Sequence, residues 1–246
     1  MDGEEGSPLE IFAHRGASGS RPENTMAAFR KAAELPIDGV EFDIHLSSDG
    51  VPVVIHDETV DRTTDGSGYV KDLTLNELKR LSAGCRFADE YSDERIPTLR
   101  EVLELFRDKP HRLNIELKSD VFPYPGMREK VIAMVREFGI ADRVILSSFD
   151  HVTLEAAKRE APDIETGMLF VEILADAPAS AARIRADALH PAMPFAVREP
   201  GRLAAAKGAV LRVYTVNEAK HALMVREAGA RAIFTDYPDR MLNLLK

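Results

Sequence analysis

The sequence predicts a (β/α)₈ barrel. Eight short β-branched or apolar runs recur along the chain, each followed by a stretch with helical spacing. They fill 246 residues, close to the roughly 250 typical of such a barrel, and no shift of composition marks a linker. One barrel domain over residues 1–246 is therefore expected, in preference to an open doubly wound sheet, which usually needs fewer strands.

The first run, Leu9 to Arg15, precedes helical spacing at 24–35. The second, Gly39 to Leu46, is followed by a further strand-like piece at Val51 to His56 and then by helical spacing at 98–108, where Thr98 and Glu101 form the S/T-x-x-E capping pattern. Between those two pieces residues 57–97, rich in Asp, Thr, Gly and Ser, are too long for one βα connection. They read as a small excursion over the barrel mouth. Runs at Arg112 to Lys118 and Arg143 to Phe149 are paired with helices at 127–138 and 151–160. Glu165 to Phe170 and Ala186 to His190 have the weakest strand patterns, and their helices are expected at 172–186 and 196–207. Val210 to Val216 leads to 217–228, with Asn217 expected as N-cap, and Ala230 to Thr235 leads to 238–245, with Asp236 expected as cap. Gly139, Gly208 and Gly229 each follow an apolar-periodic stretch, where a left-handed residue ends a helix.

Composition narrows the function. Lys and Arg number 32 against 41 Asp and Glu, a net charge of −9, which repels nucleic-acid phosphates and anionic lipid and leaves phosphate binding to a local pocket. No nucleic-acid partner is expected. The one cysteine, Cys85, has no intrachain disulfide partner and no basic setting that would make it a nucleophile. No basic-then-apolar leader is visible in Met1 to Pro8, and no run of 18 apolar residues occurs, so a cytoplasmic protein without a membrane span is expected.

In a barrel of this kind the chemistry sits at the C-terminal ends of the strands. Glu41 and Asp43, two apart in a strand, point to one face while Phe42 points to the other. If Glu116 projects from the neighbouring strand, three carboxylates converge. At a spacing of about 4.5 Å they repel by roughly 3–4 kcal/mol per pair at an effective dielectric of about 20. Either some are protonated or a cation is bound, and all-oxygen ligation selects Mg²⁺ or Ca²⁺, with Mn²⁺ as a third option.

His14 and His56 close strand segments on either side of this cluster. In-line displacement at phosphorus needs one base and one acid, and imidazole suits both roles. Arg15 offers a donor fork matched to phosphate oxygens. Lys118, two residues beyond Glu116, either neutralises charge on a phosphoryl group or relieves the acid cluster by a salt bridge. His45 shares the face of Glu41 and Asp43 and is expected at the rim. His111, His151 and His221 read as solvated or capping residues, and His190 as a minor pocket residue. Tyr214 reads either as a wall for the substrate or as core.

These residues resemble the glycerophosphodiester phosphodiesterases. The resemblance rests on His14-Arg15-Gly16, Pro22-Glu23-Asn24-Thr25, Glu41-Phe42-Asp43 with Asp49-Gly50, Val53-Val54-Ile55-His56-Asp57, Asp61-Arg62-Thr63-Thr64 with Gly66 and Gly68, Glu116-Leu117-Lys118, Thr215-Val216-Asn217 and Thr235-Asp236-Tyr237-Pro238. Each motif alone is weak; their joint order and spacing form a strong signal. The resemblance implies a (β/α)₈ barrel with a small insertion after the second strand, and cleavage of a glycerophosphodiester to sn-glycerol 3-phosphate and an alcohol such as choline or ethanolamine. It further implies one divalent cation on Glu41, Asp43 and Glu116, His14 and His56 as the acid/base pair, and substrate contacts from Arg15 and Lys118. Tyr214 stands where the family often has Trp, which keeps an aromatic wall and adds a hydroxyl.

Three rivals have distinguishing features. A lysophospholipase D on the same scaffold requires an exposed apolar rim, which the acidic 57–97 excursion disfavours. A non-catalytic phosphate-binding barrel would have lost acids or histidines that are intact here. An isomerase or aldolase barrel would want a single Lys or Glu base without the paired histidines.

Overall fold

The computed structural model describes residues 8–245; Met1 to Ser7, most of the segment read above for a leader, lies outside the described residues. In chain order the strands are β1 (Glu10–His14), β2 (Gly39–Leu46), β3 (Pro52–Val54), β4 (Arg112–Leu117), β5 (Val144–Ser148), β6 (Glu165–Phe170), β7 (Ala188–Pro191), β8 (Arg212–Val213) and β9 (Ala232–Thr235). All but β3 are parallel, in the order β7-β6-β5-β4-β2-β1-β9-β8. Single parallel bridges from Leu189 to Leu211 and from Ala192 to Tyr214 join the two ends of that order into a nearly closed barrel. The seventh run, not the fifth or sixth, makes the shortest strand: only Arg212 and Val213 of 210–216 pair regularly with β9.

The helices are α1 (Met26–Ala33), α2 (Leu75–Leu78), α3 (Leu99–Phe106), α4 (Met127–Phe138), α5 (His151–Glu160), α6 (Ala177–Arg183), α7 (Met193–Ala196), α8 (Glu199–Ala206), α9 (Ala219–Glu227) and α10 (Pro238–Leu245). Among the described residues no helix is long and apolar enough to cross a membrane. Thr98 caps α3 through the expected reciprocal box with Glu101. Gly139, Gly208 and Gly229 all take positive φ. Asn217 is not the cap of α9: Glu218 holds that position without a side-chain bond, because the Asn217 amide is engaged by Asp236. Asp236 likewise turns away from α10 toward β1. The helix expected at 172–186 starts only at Ala177, with Pro178 in its first turn. The one expected at 196–207 is preceded by a separate turn, α7.

Strand alternation separates two kinds of interior. Outward-facing residues meet the helices, as where Phe42 of β2 packs edge-on against Phe29 of α1 at 5.6 Å. Inside the wall, Phe12 of β1, Ile145 of β5, and Ala232 and Phe234 of β9 form an apolar layer. Beneath it lies a charged layer from the first residues of β1, β4, β6 and β8. Arg112 and Arg212 both bond Glu165, and Arg112 lies 3.8 Å from Glu10. Four side chains from alternate strands is the layer pattern that fills such barrels; here ion pairs replace the usual branched aliphatics.

The insertion leaves after β3, which pairs antiparallel with β2. It folds around its own small core of Val53, Ile55, Val60, Val70, Leu78, Ala83 and Ile96. The capping box of Thr74 and Glu77 opens α2, a turn that the polar composition of 57–97 conceals.

Gly39 lets the lower wall close. A Cβ there would sit 2.4 Å from the Phe12 ring and 2.7 Å from the Arg112 carbonyl oxygen. Gly39→Ala should therefore destabilise the fold by about 1–3 kcal/mol, the usual cost of overpacking. A urea midpoint equal to that of the parent would show that the wall yields at this point.

Candidate active site

Three neighbouring strands set the site by register. His14 of β1 lies opposite Glu41 of β2, and Asp43 of β2 lies opposite Glu116 of β4. Because side chains alternate, Glu41, Asp43 and Glu116 all face inward. One oxygen from each lies within 4.8 Å of the others, and all three residues are buried. Burial, with Asp43 and Glu116 close by, pushes Glu41 well above the usual carboxylate range. Burial and Asp43 push Glu116 up to about 7. Asp43 goes the other way: burial raises it, but Arg15, His56, Lys118 and the Asn24 amide, which donates at 2.8 Å, hold it below its ordinary value. Two acids that resist ionising beside one that does not are short of positive charge. Hard, buried, closely spaced oxygens without a thiolate fit a divalent cation. Among the described residues, this is the one group of three with metal-ligand spacing.

His14 and His56 line one cavity with Glu41 and Glu116, and each is oriented by a carboxylate. His14 donates from Nδ1 to Asp236 Oδ1 at 2.7 Å, and its Nε2 lies 3.9 Å from Glu41. His56 donates from Nδ1 to Asp57 Oδ1 at 2.7 Å. Asp236 is fixed in turn by Asn217 at 2.6 Å and Ser18 at 3.1 Å, and these bonds together with His14 outweigh burial and keep it ionised. Asp236 and Asn217, read from sequence as helix caps, thus serve the site. The Pro22-Glu23-Asn24-Thr25 motif also had roles that single-residue reading missed: Asn24 holds Asp43, and Glu23 holds Arg15.

Arg15 reaches the site with positive φ, its backbone N–H donating to Glu41 at 3.0 Å. Its guanidinium bonds Glu23 at 2.8 Å, and its Nε, 3.6 Å from Asp43, has no hydrogen-bond partner. Lys118 Nζ donates to Glu116 at 3.0 Å and lies 5.8 Å over the Phe149 ring. Opposite the charged side, Phe149, Leu169, Tyr214 and Phe234 wall a cavity of about 230 Å³ that also opens onto His14, His56, Glu41 and Glu116. The Tyr214 hydroxyl donates to the Phe170 carbonyl at 2.9 Å, and its half-buried ring stands edge-on to Phe149 while packing against the apolar layer of Phe12, Ile145, Ala232 and Phe234.

Other histidines fall differently from expectation. His45 is not at the rim: it is buried between the Tyr124 hydroxyl and the His56 carbonyl, each at 3.0 Å, and burial lowers its pKa. The face was right, but β3 and the α4 approach cover the end of the strand. His111 is buried ahead of β4 with Nε2 at 3.1 Å from the Leu35 carbonyl, not solvated. His190 does line the cavity floor; burial and the charges of Arg212 and Arg112 keep it neutral, its Nε2 accepting from Arg212 at 3.2 Å.

Known proteins share this fold. The profile of the glycerophosphoryl diester phosphodiesterase family matches residues 14–240. A glycerophosphodiester phosphodiesterase of Caldanaerobacter subterraneus subsp. tengcongensis is 44% identical over 236 residues, covering 96% of this chain and 97% of the relative. A phosphodiesterase of Oleispira antarctica, solved with its product sn-glycerol-3-phosphate, superposes with a TM-score of 0.85 at 33% identity, over 97% of each chain. A glycerophosphodiester phosphodiesterase of Thermotoga maritima gives 0.77 at 29% identity, over 96% of this chain and 98% of that one. The chain therefore belongs to the glycerophosphoryl diester phosphodiesterase family, enzymes that hydrolyse glycerophosphodiesters on a (β/α)₈ barrel.

Proposed function

We propose that this enzyme cleaves glycerophosphodiesters to sn-glycerol 3-phosphate and a free alcohol, with a divalent cation held by Glu41, Asp43 and Glu116. The observation that carries the reading is the pair of carboxylate-oriented imidazoles that open onto one cavity with members of the buried acid triad. When bound, the cation, Mg²⁺ or Ca²⁺ with Mn²⁺ as a third option, supplies charge neutralisation and orients the phosphoryl oxygens.

The residues of the chain do the rest. Because Asp236 and Asp57 each accept the Nδ1 proton, the Nε2 atoms of His14 and His56 are left to handle protons at the reacting centre. One imidazole takes the proton of the attacking oxygen; the P–O bond to the alcohol breaks, and the other imidazole gives its proton to the departing oxygen. Arg15, held by Glu23 and lining the cavity, binds a phosphoryl oxygen. Lys118 both relieves Glu116 and faces the substrate beside Phe149, and Tyr214 with Phe149 excludes water from one flank of the cavity.

A second reading has its own support. Exposed apolar side chains border the mouth: Tyr69 and Phe87 from the insertion, Val121 after β4, and Val171 and Ile173 after β6. Tyr69 packs edge-on against Phe122 at 5.5 Å, with Lys71 over both rings. The insertion thus exposes two aromatic rings among its charged side chains, and this border favours lysophospholipids as additional diesters.

Release of glycerol 3-phosphate from glycerophosphocholine and glycerophosphoethanolamine, and of choline from a lysophosphatidylcholine, by chelator-stripped protein given each metal in turn, tests both readings. Activity restored by metal on the short diesters is expected. Intact short diesters with every metal would overturn the first reading, and an untouched lysolipid the second. His14→Ala and His56→Ala should each lower kcat by at least ~10²-fold with metal affinity kept; near-normal turnover in either would remove that residue from the acid/base pair. Glu41→Gln should instead weaken the metal in a direct binding titration, and an unchanged titration would exclude it as a ligand. Asp236→Asn should lower kcat by ~10-fold or more without altering metal affinity, since a carboxamide does not fix the same imidazole tautomer. Parental kcat in that variant would show that His14 is oriented without it.

A further inference from the structure

We infer that Arg62, carried by the insertion, is a positioning residue that locks His56 and Arg15 into one geometry; the inference rests on the acid/base role proposed for His56. Arg62 Nε donates to Asp57 Oδ2 at 2.7 Å and Nη1 to Glu23 Oε2 at 2.7 Å. Its Nη2 bridges the two carboxylates, reaching Glu23 Oε1 at 2.8 Å and Asp57 Oδ1 at 3.0 Å. Those are the same two oxygens that hold the functional groups: Glu23 Oε1 accepts from Arg15 at 2.8 Å, and Asp57 Oδ1 from His56 at 2.7 Å. One nitrogen of Arg62 thus closes an unbroken path from the His56 imidazole to the Arg15 guanidinium.

The geometry needs this fork. Asp57 and Glu23 both present an oxygen to the same point, and a planar guanidinium can bond both carboxylates at once, whereas an ammonium is a single point charge. Arg62 is itself about half exposed, so its contacts add little to global stability. Their effect falls on the aim of the two side chains that face the phosphodiester. A small misplacement of such groups costs rate far more than it costs stability. The insertion thereby contributes to the site through Arg62 without placing it against the substrate.

Steady-state kinetics on glycerophosphocholine with saturating metal test this directly. Arg62→Gln should lower kcat by ~10-fold or more with little change in melting temperature, and Arg62→Lys should recover only part of the loss. In an Asp57→Asn background the same Arg62→Gln change should have a smaller effect on kcat, because only the Glu23–Arg15 arm is then left for it to act through. Parental kcat in Arg62→Gln, full recovery by Arg62→Lys, or an undiminished effect in the Asp57→Asn background would each overturn the inference. His56→Ala measured alongside separates the two levels. If His56→Ala is inactive while Arg62→Gln is normal, only the positioning role fails; if His56→Ala is itself near normal, the underlying reading fails.

Discussion

Three carboxylates forced together inside a low-dielectric barrel are the constraint around which the site is organised. Strand register brings Glu41, Asp43 and Glu116 together, and no rotamer change of a single residue can move the strands apart. Their mutual repulsion has to be offset by the surroundings, and every nearby cation is placed to do so. Arg15 approaches Asp43, Lys118 is held on Glu116, and Asn24 donates to Asp43. The remaining deficit of positive charge is what a bound dication would supply, and a phosphodiester would then meet a centre where Arg15 and Lys118 tip the balance positive. The same low dielectric that makes the unpaired acids costly strengthens their grip on a cation.

Much of this was legible in the sequence, for a definite reason. Period-two alternation places Glu41 and Asp43 on one face from local information alone, and the strand ends carrying His14, His56 and Lys118 are marked by polar residues closing apolar runs. The barrel itself followed from the count of such runs. What could not be read locally depends on partners far away in the chain. Asp236 before a prolyl helix start has the composition of a cap, and only the closed barrel shows that its partner is His14, 222 residues earlier. His45 has the correct face, yet whether a strand end is open or covered is decided by β3 and Tyr124. The charged layer of Glu10, Arg112, Glu165 and Arg212 was hidden because each residue, taken singly, looks like an ordinary polar strand start.

The two histidines are held by different logic. His56 is fixed by its own neighbour in sequence, Asp57, and so its orientation is built within the insertion boundary. His14 takes its carboxylate from the opposite end of the chain, across the pairing of β1 with β9. The symmetric task proposed for them, one proton taken and one given, would thus be served by two supports of different range.

That difference gives the order of synthesis a meaning. A domain generally folds as a unit, and every acid of the triad lies within the first 116 residues of this one. The cation cluster is therefore encoded early, whereas His14 has no oriented Nδ1 proton until β9 closes against β1 and delivers Asp236. A half-made chain holds the residues to capture an ion but not the completed pair of proton carriers. Under the acid/base reading the final strand of the barrel is a completion mark, since the imidazole of His14 is oriented only when the wall is whole.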